Sequence, residues 1–144
     1  MQTPRTASAV GLLVALLGCV ATDPRPILER RPGVLSIGGE PSVTAPAEGA
    51  VGVPIPVTVI TWGGGCARQG PTEAHVTALT ADVTPYDSVY VALPPNMACT
   101  ADLRSYTHTA TVAFAAAGVA VLRVHGWSEP AKAMIVVERT VQIR

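Results

Sequence analysis

The chain of 144 residues carries ten basic and ten acidic side chains, so its formal net charge is zero. Only 14% of its residues are charged, against about 25% in typical soluble domains, and Lys132 is the only lysine. Because no basic stripe is available to neutralise phosphates, this composition argues against nucleic acid as a partner.

The first eighteen residues are organised like a secretory signal. Residues 1–8 are polar with Arg5 as their only charge, and residues 9–18 form a continuous apolar run. A bilayer-spanning helix takes about 20 residues, so this run is too short to cross a membrane. It does suit the apolar segment of a signal peptide that is removed from the mature protein.

The apolar run ends at Leu16, Leu17, Gly18 and Cys19, which resemble the lipobox of bacterial lipoproteins. This resemblance implies a signal peptide over residues 1–18, a diacylglyceryl thioether on Cys19 and usually a further acyl chain on the new amino terminus. Two such chains hold a protein stably on a membrane. Two alternatives remain. One is an ordinary signal peptide in which the cysteine occurs by chance, and the other is a short transmembrane anchor.

The lipobox resemblance also implies a location, the bacterial cell envelope. Val20 and not Asp follows Cys19. Under the sorting rule of enteric lipoproteins, this predicts the outer membrane.

Residues 21–33 contain three prolines and five charged side chains. This composition is typical of a solvated linker. We therefore predict that residues 19–33 form a lipid-anchored tether and that residues 34–144 form one domain, which is long enough to bury a core.

Beyond the tether, short runs rich in Val, Ile and Thr alternate with clusters of Gly, Pro, Asn and Asp, a pattern that predicts β-strands. Strict alternation in residues 55–62 and 106–115 indicates half-buried strands. The predicted strands cover residues 34–37, 42–45, 55–62, 74–83, 88–93, 106–115, 119–124 and 133–143. Seven or eight strands at this spacing favour an all-β antiparallel sandwich.

The C-terminal third resembles a known family of domains. Phe114 closes one strand, Gly118 makes a turn, and alternating apolar residues run to Val124 before Gly126 and a last Val-rich strand. This arrangement is similar to the last three strands of bacterial immunoglobulin-like domains. The resemblance implies an immunoglobulin-like β-sandwich over residues 34–144.

With Cys19 assigned to lipid, Cys66 and Cys99 remain. A pair of cysteines in an exported domain most often forms a disulfide. Closing this loop of about 34 residues would stabilise the fold by about 3.8 kcal/mol in the chain-entropy model. Two free thiols or two soft metal ligands are the alternatives.

The sequence shows no sign of an enzyme or of a cofactor. It lacks the G-x-S-x-G elbow of a nucleophilic serine, and its carboxylates are scattered without calcium-loop spacing. Gly63, Gly64 and Gly65 are not followed by the Gly-Lys-Ser/Thr ending of a phosphate loop, so they are predicted to end a strand. We expect no catalytic residue.

A metal site has one set of candidates, His75, His108 and His125 together with the two cysteines, which are ligand types for copper or zinc. Their spacings match no ligand pattern. By strand alternation His108 lies on an apolar face, whereas His125 faces solvent. Three unrelated histidines are the simpler interpretation.

Trp62 and Trp127 each lie at the end of a strand, beside a glycine. Exposed aromatic side chains at such ends bind sugars or proteins, and packing at the rim of the core is the alternative. A second candidate cluster comprises Tyr86, Tyr90, Asn96 and Arg104.

These features predict a non-enzymatic, lipid-anchored module that binds or supports other components of the envelope. Its expected partners are the membrane, through Cys19, and another envelope protein, a polysaccharide or a host surface. The alternative function is an exported copper- or zinc-binding domain.

Overall fold

The structure is a computed structural model that describes residues 25–144, and every helix-or-strand element in that range is a strand. Cys19 and the signal lie outside the described residues, so their assignments stay predictions. The all-β prediction is confirmed. The ten strands within residues 25–144 are β1 (Ile27–Pro32), β2 (Val34–Ser36), β3 (Val43–Thr44), β4 (Glu48–Gly49), β5 (Ile55–Gly63), β6 (Ala67–Thr77), β7 (Thr80–Ala92), β8 (Arg104–Val112), β9 (Gly118–Ser128) and β10 (Ala133–Ile143).

One curled sheet contains all of these strands. Its main path runs β1, β7, β9, β2, β5 and β3, with β6 beside β7, β8 beside β5 and β10 beside β9. Most neighbours are antiparallel, but β7 and β2 each run parallel to β9, and β4 runs parallel to β10.

The curl brings β8 opposite β6, and side chains join the two strands. The Gln69 amide donates to the Thr107 carbonyl oxygen at 2.7 Å, and the Tyr106 hydroxyl donates to the Ala67 carbonyl oxygen at 2.7 Å. We call this junction the β6–β8 seam. It closes the curl with side-chain bonds where ladder bonds end.

The inside of the curl holds the core. On β5 the buried residues are Ile55, Val57, Val59 and Thr61, so the predicted alternation of this strand is confirmed. Phe114 is fully buried against them. Burial of each large apolar side chain contributes about 1.5–3 kcal/mol.

The prediction of one strand over residues 74–83 is wrong, because a tight turn divides it. β6 ends at Thr77 and β7 begins at Thr80. The turn has Ala78 in the left-handed region at a φ of 53°. Gly or Asn usually marks such a turn, and neither is present here. The β6–β7 hairpin therefore carried no turn signal.

The structure also differs from the predicted tether, because residues 27–32 form β1. This strand pairs antiparallel with β7, from Ile27 opposite Ala92 to Pro32 opposite Tyr86. Five of its six residues are exposed. An exposed strand shows no apolar alternation, which is why its charges and prolines resemble a linker.

The predicted disulfide between Cys66 and Cys99 is confirmed, with a Cα–Cα distance of 5.0 Å. It joins the turn after β5 to the connection between β7 and β8. Beside it, Gly65 donates its amide to the Thr100 carbonyl oxygen at 3.3 Å, and a Cβ on Gly65 would approach the Thr100 amide nitrogen to 2.8 Å. β5 does end at Gly63, as predicted for the glycine run. Gly65 in the following turn also allows a close approach to the loop at Thr100.

Candidate ligand-binding site

Four apolar side chains form a row across four neighbouring strands. Trp127 on β9 lies opposite Met134 on β10 and opposite Val34 on β2, and Val34 lies opposite Trp62 on β5. Residues in register on adjacent strands project from the same face of a sheet. We call this set, Met134, Trp127, Val34 and Trp62, the tryptophan row.

The tryptophan row exists because β2 is inserted between β9 and β5. Gly33, the residue before β2, uses both of its backbone polar groups to hold the start of this strand. Its amide donates to the Pro85 carbonyl oxygen at 2.8 Å, and its carbonyl oxygen accepts from the Trp127 amide at 2.9 Å. Both tryptophans are half-buried, so each is partly packed against the protein and partly exposed to solvent. The two tryptophans, 65 residues apart in the sequence, thereby share one surface.

A cavity of about 600 Å³ opens against the tryptophan row. Ligand sites typically have about 300–1,000 Å³ and combine apolar walls with a few polar groups. Here β1 supplies the charged residues Glu29 and Arg31, and the residue after β9 supplies Glu129. Gly33 and Asp87 are also among the lining residues. The cavity therefore has the size and the mixed lining of a binding site.

The charged groups at the cavity are paired with their neighbours. Arg31 donates to Glu29 at 2.6 Å, and Lys132 donates to Glu129. The bond from Arg31 lowers the pKa of Glu29 below its usual range. The bond from Lys132 lowers the pKa of Glu129, and a hydrogen bond from Trp127 lowers it further. These carboxylates are therefore ionised at neutral pH and carry their own counter-charges.

Beneath the cavity, a buried polar network joins β5, β6, β7 and β8. The Thr61 hydroxyl donates to Asp87 Oδ2 at 2.7 Å, and His108 Nε2 lies 3.1 Å from Asp87 Oδ1 and from Thr61 Oγ1. His108 Nδ1 lies 3.1 Å from the Thr72 hydroxyl across the β6–β8 seam. All contacts are satisfied when Nε2 donates to Asp87 and Nδ1 accepts from Thr72.

Of the residues in this network, only Asp87 lines the cavity. Its residues are those of a nucleophile, a base and an acid, but the Thr61 hydroxyl gives its proton to Asp87 and not to His108. His108 and Thr61 are fully buried. A nucleophile needs a route for its substrate, and neither Thr61 nor His108 lines the cavity.

The three histidines predicted as metal candidates occupy different places. His108 belongs to the buried network, whereas His125 Nε2 contacts Asp82 Oδ1 at 2.8 Å on the outer surface. His75 is exposed on β6, in register with Asp82. Across residues 25–144, no three His, Cys, Asp or Glu side chains are grouped to hold a metal ion.

The predicted cluster of tyrosines and Arg104 is also divided. The Arg30 guanidinium stacks 3.7 Å from the Tyr86 ring centre, and the Arg68 guanidinium lies 5.1 Å from that of Tyr90. Arg104 instead pairs with Asp102. Each tyrosine therefore covers an arginine of a neighbouring strand.

Sequence reasoning identified the two tryptophans but not the rest of the cavity. Glu29 and Arg31 lie in a segment predicted as tether, and Asp87 carried no motif. The missing signal is the pairing of β2 with β9, which joins residues more than 90 positions apart.

No helix within residues 25–144 is long and apolar enough to cross a membrane. Comparison of the chain with protein-family models, with curated proteins and with solved structures finds no match.

Proposed function

We propose that this protein is a lipid-anchored, non-enzymatic binding module of the bacterial cell envelope and that its ligand occupies the cavity at the tryptophan row. The observation that carries this proposal is the row itself, since two half-buried indoles line one cavity together with paired charges. Tryptophan is among the residues that contribute most to binding energy when a ligand removes them from water.

The lipid anchor is supported by the lipobox resemblance at Cys19. Strand β1 begins at Ile27, eight residues later, so the chain between them reaches at most about 26 Å. The binding domain would therefore stay close to the membrane surface.

An immunoglobulin-like sandwich is our proposal for the finer architecture. It is supported by the sequence resemblance near Phe114 and Gly118 and by the curled sheet, in which β5, β7, β8 and β9 contribute residues to one apolar core.

The anchor is tested by the intact mass of full-length protein extracted from its own membranes. We expect cleavage before Cys19 and an added diacylglyceryl group, and we expect a Cys19→Ala variant to lose both. An unmodified mature chain with a different first residue would remove the lipoprotein assignment.

The binding site is tested by placing a photo-cross-linking amino acid at position 134 in living cells. Position 136 is the matched control, because Met134 and Val136 lie on the same strand with exposures of 52% and 50%, but Val136 does not line the cavity. We expect an adduct with a cell component from position 134 alone. Equal adducts from both positions, or none, would contradict the assignment of the cavity.

A further inference from the structure

We propose that the ligand of the cavity is a linear glycan of neutral pyranose sugars. This inference rests on the proposed function, because it takes the tryptophan row as a ligand site and names what that site binds.

The first argument is the spacing of the indoles. Trp62 and Trp127 are separated by β2, so their backbones lie two strand spacings, or about 10 Å, apart on one face. Two aromatic platforms at this separation fit a ligand that presents one flat face after another. A linear chain of pyranose rings does so.

The second argument is the balance of charge. Glu29 is paired with Arg31 and Glu129 with Lys132, while Asp87 accepts from Thr61 and contacts His108. A cationic ligand would need a free carboxylate beside the rings, and an anionic one would need a free guanidinium. Every charged lining residue already has its partner, so the site favours a neutral ligand.

The third argument is the chemistry of the rim. Sugar hydroxyls both donate and accept, so they can bond to the carboxylates of Glu29 and Glu129 and to the guanidinium of Arg31 without displacing either ion pair. The C–H face of the ring, which is weakly positive, packs on the negative face of an indole. Apolar walls with a few polar groups at the edge match this amphipathic ligand.

The test is a titration of full-length protein in a detergent without a sugar headgroup, followed by tryptophan fluorescence. The probes are hexamers of β-1,4-linked N-acetylglucosamine, β-1,4-linked glucose and α-1,4-linked glucose, with the matching disaccharides. We expect at least one hexamer to shift the emission, and its disaccharide to bind more weakly because it reaches one indole only.

Variants connect this binding to the tryptophan row. Trp62→Ala and Trp127→Ala should each weaken the hexamer about tenfold or more, and Trp62→Phe should recover part of the loss. Tyr90→Ala is the control, since Tyr90 stacks on Arg68 and does not line the cavity. Thermal unfolding of each variant shows whether it remains folded.

Three results would overturn the glycan assignment. One is that no hexamer shifts the emission while position 134 still cross-links to a protein, in which case the cavity binds protein and the proposed function stands. Another is hexamer binding that both tryptophan variants retain. The third is the loss of both the titration and the cross-link, which would remove the proposed function together with this inference.

Discussion

Gly33 lies where the cavity, the core and the β1–β2 connection meet. A Cβ at this position would overlap the Thr61 side chain and approach Asp87 Oδ2 to 2.8 Å. We predict that Gly33→Ala lowers the free energy of unfolding by about 1–3 kcal/mol, as overpacking does in other cores. Urea denaturation measures this loss.

Gly39→Ala is the matched control for this substitution. No atom lies within 4 Å of the Cβ it would add, so its unfolding free energy should stay close to that of the parent protein. Equal stability of the two variants would show that the region around Gly33 gives way without cost.

Two aspartate–histidine contacts allow the buried network to be compared with a surface pair. Asp87 contacts fully buried His108, whereas Asp82 contacts His125 with side-chain exposures of 41% and 32%. Asp87→Ala would leave the Thr61 hydroxyl and His108 Nε2 without their carboxylate, at about 1–3 kcal/mol for each. Asp82→Ala should change stability by less than about 1 kcal/mol.

The same denaturation measurement decides between the two sites. A loss for Asp82→Ala as large as that for Asp87→Ala would mean that burial does not set the strength of these contacts. Thr72→Val extends the comparison, because it removes only the His108 Nδ1 partner on the far side of the seam.

The connection between β7 and β8 is held to the turn after β5 by the Cys66–Cys99 disulfide. Cys66 and Cys99 close a loop of 34 residues, counted from a sequence separation of 33. We predict that the double variant Cys66→Ser, Cys99→Ser loses about 4 kcal/mol of unfolding free energy, because its unfolded chain regains the entropy of that loop.

Reductant provides the control for this disulfide. It should lower the melting temperature of the parent protein and leave the double variant unchanged. A parent protein that is insensitive to a reductant shown by thiol labelling to have opened the bond would contradict the prediction.

Strands that alternate strongly were predictable from the sequence, and the others were not. β5 was predicted from its alternation, because one of its faces is apolar. The bounds of β10 were predicted because it is a Val-rich segment that begins after a turn. β1 was not predicted because all but one of its residues are exposed. The first half of β6 was not predicted because its less exposed positions include Gly70 and Thr72, which give no apolar alternation.

The candidate site was less predictable than the strands. Trp62 and Trp127 were recognisable as aromatic residues at strand ends, but only the register of β2 shows that they share a face. The Cys66–Cys99 bond could be predicted because two cysteines left one pairing. The role of Asp87 could not, since its side-chain partners, Thr61 and His108, come from two other strands.

The molecule as a whole has zero formal net charge, and the charged side chains at the cavity are likewise paired with opposite charges. The lowered pKa values of Glu29 and Glu129 mean that both carboxylates lose their charge only at a pH below the usual range for glutamate. We therefore expect glycan affinity to vary less than about twofold between pH 5.5 and 8. Titrations at three pH values measure this, and a tenfold change would show that another group controls binding.

Strand β1 has a mechanical consequence under the proposed lipid anchor, because it lies between the segment that follows Cys19 and the cavity. Its first residue follows the segment from Cys19, and its last, Pro32, lines the cavity beside Gly33. A pull between the proposed lipid and a bound ligand would run along β1, and so along the ladder that joins β1 to its antiparallel neighbour β7. Such a load shears the bonds of the pair together instead of opening them one after another, so the domain would transmit tension from envelope to ligand without unfolding its core.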